Sequence, residues 1–402
     1  MKQKILFILS DGMGGLPSKK LNGKTPLEAA KTPNLDKMAE LGQVGLMHVL
    51  EPGRIPHSDE AHLTLFGYDL RKHYVGRGPF EAFGLGMHLK HGDIAFRCNF
   101  GTVSRELKLL DRRAGRIENT AELCRKLNNL KVNGVKFIVK PGTSHRAAVV
   151  MRGKGLSDKI CDSDPHRTGV SARRVKPSDK SKQAKFTAVT LNEFLRKTHE
   201  LLEAHPVNQA RKKKGLKPAN YLLLRGAGKM KTVPSIRKRF GLKAVCIAGT
   251  GLYKGIAEFV GMKILNVRGA TGTANTSVKA KIARALKELK SNDLVFVHVK
   301  GCDLFGHDGD CVGKKKFIEK IDRALKPLIG IENTLVAVTA DHSTPCTRKD
   351  HSKDPVPVLF YGSMIAAGPV SGFSERKAGK GRLGVLHGKK FMKLMLKVTG
   401  RA

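Results

Sequence analysis

Residues 4–9, KILFIL, form a short and almost wholly apolar run, bounded at once by the polar Ser10-Asp11-Gly12-Met13-Gly14-Gly15. Such a run predicts a buried strand, and the polar stretch a loop at its carboxyl end. The pattern recurs. Residues 242–248, apolar apart from Lys243, lead into Gly249-Thr250-Gly251. Residues 293–299 lead into Gly301-Cys302-Asp303, and residues 333–339 into Ala340-Asp341-His342. Helices fit between them at 277–289 and 315–328, with Thr276 or Ser277 as the cap of the first. An earlier helix opens at Thr32-Pro33-Asn34 and runs to about residue 41. Pro33 sits there at an early position, where its missing N–H is not needed. Strand, polar loop and helix in repetition predict an α/β core with a largely parallel sheet flanked by helices.

The middle of the chain has another rhythm. Residues 136–140 and 146–151 read as paired strands around the turn Pro141-Gly142-Thr143-Ser144, residues 152–183 as a polar loop, and 184–204 as a helix. Residues 207–219 read as a basic connection. The expected division is a core from 1–110 and 226–402, with a smaller α+β domain inserted at 111–225. The length of 402 residues suits two or three domains at roughly 100–200 residues each.

Composition excludes some classes. With 40% hydrophobic and 27% charged residues, the chain is not disordered throughout. With 5% aromatics and no Trp, recognition by stacking over large surfaces is disfavoured. Seven cysteines, an odd number with no CxxC pair, fit a reduced intracellular chain better than a disulfide scaffold. The opening apolar run is too short for a secretory signal, and no stretch reaches the ~18–20 apolar residues of a membrane span. A soluble, cytoplasmic protein is expected. The charge is unusual: 75 Lys and Arg against 34 Asp and Glu give +41. That surface attracts polyanions and by itself favours a nucleic-acid binder. The tract Arg211-Lys212-Lys213-Lys214 points the same way, but no aromatic lies near it for base stacking, and a solvated lysine-rich surface is the plainer reading. High charge also favours a monomer, although no run of residues fixes the oligomeric state.

The candidate chemistry lies at the strand ends. Asp11, Asp303-x3-His307, Asp341-His342 and the later His351 supply three carboxylates and three imidazoles. Mixed oxygen and nitrogen donors of this kind suit two divalent ions, which can activate a nucleophile and clamp a phosphoryl group. Taken singly, an Asp after a strand is often a turn residue and a loop His a solvated one. Their recurrence at equivalent loops is what raises them. Ser58, in IPHSDEAHL, is the candidate nucleophile; by composition alone it reads as a helix N-cap. Arg77 with Glu81 nearby, Arg97 with Asn99, His145 with Arg146, Arg225 and Lys300 lie in motif-like settings, where the basic residues could hold a carboxylate or a phosphate. No P-loop and no dinucleotide-binding glycine pattern is present.

Long stretches resemble a known family. LSDGMGG, TPLEAAKTPNLDKMA, HSDEAHLTLFGYD, YVGRGPFEAFG, GDIAFRCNFGT, NYLLLRGAG, GATGTANTS, GHDGD and DHSTPC are similar to the archaeal-type, cofactor-independent phosphoglycerate mutases of the alkaline phosphatase superfamily. The resemblance implies an alkaline-phosphatase-like core and interconversion of 3- and 2-phosphoglycerate through a phosphoserine at Ser58, in a closed cleft between core and insert. It implies two divalent ions, manganese first, with zinc, cobalt or magnesium as alternatives. One would be held by Asp11, Ser58, Asp341 and His342, the other by Asp303, His307 and His351. Substrate contacts would be Arg97, Asn99, His145, Arg146, Arg225 and Lys300. His57, Glu60 and Cys302 depart from the family pattern beside these positions. Two other readings stay open: a phosphatase or phosphotransferase of the same superfamily, and a basic nucleic-acid-binding protein reusing the fold.

Overall fold

The computed structural model describes residues 2–401. Its strands, in chain order, are β1 (Lys4–Ser10), β2 (Gln43–His48), β3 (Ile94–Val103), β4 (Leu109–Asp111), β5 (Lys131–Val132), β6 (Val135–Pro141) and β7 (Arg146–Arg152). There follow β8 (Tyr221–Lys229), β9 (Ala244–Ile247), β10 (Lys263–Ile264), β11 (Leu294–Val299), β12 (Thr334–Thr339), β13 (Val356–Tyr361) and β14 (Gly384–His387). They fall into two compact units, one running to Tyr74 and resuming at Pro234, the other spanning Val75–Val233.

The first unit is a mixed α/β structure on an eight-stranded sheet of order β10-β9-β11-β1-β12-β13-β2-β14. Pairing is parallel from β10 through β12, while β13 is antiparallel to both its neighbours and β14 runs parallel to β2. β11 and β12 are buried along their whole length and β1 along all but Lys4, which is why they read as continuous apolar runs rather than alternating ones. Phe7 of β1 packs among Phe66, Phe296 and Phe391 with ring centroids 6.3, 5.1 and 5.3 Å away. The central β1 sets the register of the site: Ser10 lies opposite Val299 of β11, and Leu9 opposite Thr339 of β12. The residues after these three strands therefore emerge side by side at the carboxyl edge, the usual ligand position in such sheets.

The second unit is built on an antiparallel sheet in which β3 pairs with β7, β8 and β4, and β6 joins β7 to β5. The helix Lys182–Glu203 covers it, with Phe194 stacked on Phe137 at 3.8 Å.

Three expectations differ from this picture. The second unit begins at Val75 and ends at Val233, not at 111 and 225, so β3 belongs to it and not to the core. β3 is buried at every position but Arg97, and an apolar run of that kind does not reveal which sheet it joins. The helix expected from 315 starts at Cys311, because Asp310 caps it by accepting from Gly313 N at 2.8 Å. The basic stretch 207–219 is in part the helix Pro206–Lys213. The antiparallel β13 and the flanking β2 and β14 had no counterpart in the reading of the sequence. Ser277 rather than Thr276 caps the helix Val278–Leu289. Among the described residues no helix is long and apolar enough to cross a membrane.

Candidate active site

Asp11 follows β1, Lys300 and Asp303 follow β11, and Asp341 and His342 follow β12, so parallel register alone gathers them. Gly12 makes the turn after Asp11 with φ +65°, and its N–H donates to Asp341 Oδ1 at 3.1 Å. A side chain there would be strained by that backbone and would meet Asp303 as well.

Three groups of donors result, and His342 belongs to two of them. Asp11, Asp341 and His342 have ligand atoms within 4.8 Å of one another, as do Asp303, His342 and His351. His342 Nε2 lies 3.6 Å from Asp11 Oδ1 and 3.3 Å from Asp341 Oδ2. Asp303 Oδ1 lies 3.3 Å from His307 Nε2 and 3.4 Å from His351 Nε2. His307 and His351 also meet Asp350, which the sequence did not single out. All three imidazoles use Nδ1 elsewhere: His307 on Lys349 O at 2.9 Å, His351 on Pro56 O at 3.1 Å, His342 on Thr344 Oγ1 at 3.0 Å. Carbonyl acceptors require Nδ1–H in the first two, so Nε2 is the nitrogen that each neutral ring could offer to the cluster.

The helix Ser58–Leu65 brings the candidate nucleophile. Ser58 is its first residue, not its cap; His57 holds the cap position without a side-chain bond. The Ser58 hydroxyl is instead 3.3 Å from His342 Nε2.

The titration of the cluster is strongly perturbed. Three carboxylates converge with little solvent. Burial alone would raise Asp11, but Lys300 and His298 outweigh it and hold the carboxyl low. Burial likewise raises Asp303, and His307, His351 and Lys300 overturn this. Asp341 is pushed well up by burial and by the charges of Asp11 and Asp303. His342 is pulled down to about 3 by burial, and His307 raised to about 9 by its bond to Asp303. Lys300 donates to Asp303 Oδ2 at 2.7 Å and Asp11 Oδ2 at 3.1 Å. Asp11 Oδ1 and Asp341 Oδ2 remain buried without hydrogen-bond partners among the described residues. Orphaned carboxylate oxygens beside imidazole lone pairs fit divalent ions.

The family departures have simple local settings. Glu60 is paired with Arg54, so its added charge is compensated. His57 is exposed. Cys302 is buried, takes a hydrogen bond from Ser10 Oγ at 3.4 Å, and has its thiol raised to about 11 by burial.

The remaining predicted residues lie in the second unit. Arg97 of β3 faces Arg225 of β8, and Asn99 of β3 faces Arg146 of β7. Period-two alternation puts Arg97 and Asn99 on one face. His145 precedes Arg146, and its pKa is lowered to about 4 by burial and then by Arg146, Arg113 and Arg97. Arg97 is lowered to about 10, by burial first and then by neighbouring arginines, with Glu81 opposing. Arg97 Nε, Arg225 Nε and Asn99 Oδ1 are buried without hydrogen-bond partners among the described residues. Crowded, underbonded guanidinium groups are suited to an anion. Asp164, within the polar stretch 152–183, braces these arginines: it accepts from Arg112 at 3.0 and 2.8 Å and lies 3.3 Å from Arg225. The tract at 211–214 is partly tied down, with Arg211 donating to Lys217 O and Ala114 O and Lys212 paired with Glu203.

The sequence pattern of the 2,3-bisphosphoglycerate-independent phosphoglycerate mutases matches residues 39–208. A relative of that name from Archaeoglobus fulgidus is 47% identical over 399 residues, covering 98% of this chain and 97% of its own. The chain belongs to this family. A second relative so named, from Methanococcus aeolicus, is 46% identical across 99% of this chain and 98% of its own. Among solved structures, a protein from Pyrococcus horikoshii superposes with a TM-score of 0.87 at 35% identity, covering 100% of this chain and 98% of that one. The cofactor-independent phosphoglycerate mutase of Thermoplasma acidophilum does so with 0.76 at 36%, covering 99% and 100%.

Proposed function

We propose that this mutase-family chain interconverts 3-phosphoglycerate and 2-phosphoglycerate through a phosphoserine at Ser58. The observation that carries the reading is the Ser58 hydroxyl, 3.3 Å from His342 Nε2 at the edge of a buried carboxylate and imidazole cluster. Asp11, Ser58, Asp341 and His342 would hold one divalent ion and Asp303, His307 and His351 the other, manganese being the first candidate. When bound, the ions would offset phosphoryl charge and favour the ionised serine.

Ser58 Oγ bonds to phosphorus and gives up its proton as the ester bond to the 3-oxygen breaks, and that oxygen takes up a proton, leaving glycerate. The glycerate re-orients, and its 2-hydroxyl oxygen loses its proton and takes the group back as the serine ester breaks and the serine is reprotonated. Lys300, with its ammonium held by Asp11 and Asp303, is the residue to meet phosphate oxygens in this unit. Arg97, Asn99, His145, Arg146 and Arg225 are assigned to recognition of the anionic glycerate. Buried guanidinium groups suit it because they match carboxylate oxygens in a plane.

The test sets a 2-phosphoglycerate assay beside a phosphate-release assay. Wild type should form 2-phosphoglycerate without releasing phosphate, and Ser58→Ala should do neither. Full mutase turnover by Ser58→Ala would remove the nucleophile assignment. Phosphate release by wild type in place of isomerisation would favour the related phosphatase reading.

A further inference from the structure

Behind Asp11 lies a buried aromatic group that the transfer described above does not use. Tyr253 stands on the helix Gly251–Phe259, just after β9, and its hydroxyl donates to Asp11 Oδ2. His298 is inside β11, and its Nε2 lies 3.2 Å from the same oxygen. The two rings stack at 3.6 Å with 24° between their planes, and His62 closes the cluster 4.8 Å from Tyr253 and 5.3 Å from His298. None of the three rings is more than 2% exposed.

The asymmetry of the contacts is informative. Tyr253, His298 and Lys300 all gather on Oδ2 of Asp11. Oδ1 takes no hydrogen bond among the described residues, although it is buried, and it is the oxygen 3.6 Å from His342 Nε2. A carboxylate with both oxygens free can rotate and offer either or both. One hydrogen-bonded on the same oxygen by a phenol and an ammonium, with an imidazole nitrogen packed 3.2 Å from it, has a single orientation. The Tyr253 oxygen is itself fixed, because it accepts from Lys300 Nζ at 3.1 Å.

We propose that Tyr253 and His298 are positioning residues of the metal centre, holding one oxygen of Asp11 so that only the other faces an ion. The inference rests on the metal-site reading given above. It assigns a role to residues that touch no substrate and that no motif in the sequence marks. Partners of this kind orient a ligand and tune its basicity, and their loss typically weakens metal binding about 10–100-fold.

Tyr253→Phe tests it, because the variant deletes one oxygen and keeps the ring stack. Manganese affinity is measured by chelator competition, alongside the melting temperature of the metal-free protein and mutase turnover against manganese concentration. The expected result is affinity about 10–100-fold weaker, an unmoved metal-free melting temperature, and turnover restored by excess manganese. Unchanged affinity, or lost turnover that no manganese concentration restores, overturns the proposal. Should that variant not fold, His298→Asn is read the same way: weaker affinity with rescue supports the role, and a lower melting temperature with unchanged affinity overturns it. Wild type that binds no manganese would instead sink the metal reading itself, so the two failures are distinguishable.

Discussion

The hydroxyl of Thr344 donates to Asp303 Oδ1 at 3.0 Å. Thr344 Oγ1 is also 3.0 Å from His342 Nδ1, so one small side chain joins the donor group at Asp303 to that around Asp11 and Asp341. With its proton given to Asp303, Thr344 can only accept from His342, which fixes the proton on Nδ1 and the lone pair on Nε2.

Thr344→Val keeps the shape and removes both bonds. The variant should lose about 10–100-fold in turnover at limiting manganese, and Thr344→Ser should recover most of it. Steady-state rates over a manganese titration decide this. Equal rates for the Val variant and wild type at every concentration would show that the bridge does not matter.

Much of the site is legible in the sequence because of where its residues stand. Asp11, Asp303, Asp341 and His342 each follow an apolar run that ends at the sheet edge, and a parallel sheet brings such ends together. His298 and Tyr253 are not legible. His298 interrupts the run LVFVHV, where it reads as an ordinary core histidine, and Tyr253 follows a loop with no acid or metal-type residue. Their importance arises from a contact across 287 positions or fewer, for which local pattern holds no signal. Asp164 is hidden for another reason. Within a polar stretch every Asp looks solvated, and only the fold shows that this one is wholly buried against two arginines. The unit boundary fails similarly, since β3 is as apolar as a core strand.

Asp164 gives the second prediction. Removing its charge leaves Arg112 without its carboxylate partner and Arg225 with only the more distant charge of Asp162. The loss is destabilising, but less so than for a fully buried pair, because both arginines keep some solvent contact. Asp164→Asn should therefore lower the melting temperature and, at temperatures where it stays folded, raise KM for phosphoglycerate more than it lowers kcat. A change confined to kcat would contradict a binding role for Arg225.

The third prediction concerns pH. Lys281 is fully buried, donates to His298 O at 2.9 Å and Thr271 O at 3.3 Å, and is lowered by burial to about 8. The folded ammonium gives up its proton near pH 8, whereas the unfolded one keeps it until about 10.4. Between those values the unfolded chain binds more protons, so this residue's contribution to stability rises with pH. Below pH 8 the full cost of burying the charge is present. Relative to Lys281→Met, wild type should gain up to roughly 3 kcal/mol between pH 8 and pH 10.4. Denaturant melts of both proteins at several pH values isolate this term, because other titrations cancel in the difference. A constant difference would refute it.

Lys314 makes the last case, and it bears on how the site keeps its shape without ions. Its ammonium is buried and donates to Gly14 O at 2.8 Å and Thr344 O at 2.9 Å. These carbonyls belong to the loops after β1 and β12, which carry Asp11, Asp341 and His342. Burial lowers the Lys314 pKa, so the residue is held at a cost, and that cost makes sense only if the two loops need a tie. Lys314→Met fills the space yet leaves two buried carbonyls without this donor, each worth about 1–3 kcal/mol. Removing a buried charge returns part of that sum, so the net loss of stability should be smaller than the two penalties together. The effect on the loops has no such offset. Manganese affinity should fall more steeply than the melting temperature, and Lys314→Arg should not restore it, because a planar fork does not fit a site shaped for a tetrahedral donor. An affinity that stays at the wild-type value while the protein is destabilised would mean that the loops hold their geometry unaided, and that Lys314 acts only on stability.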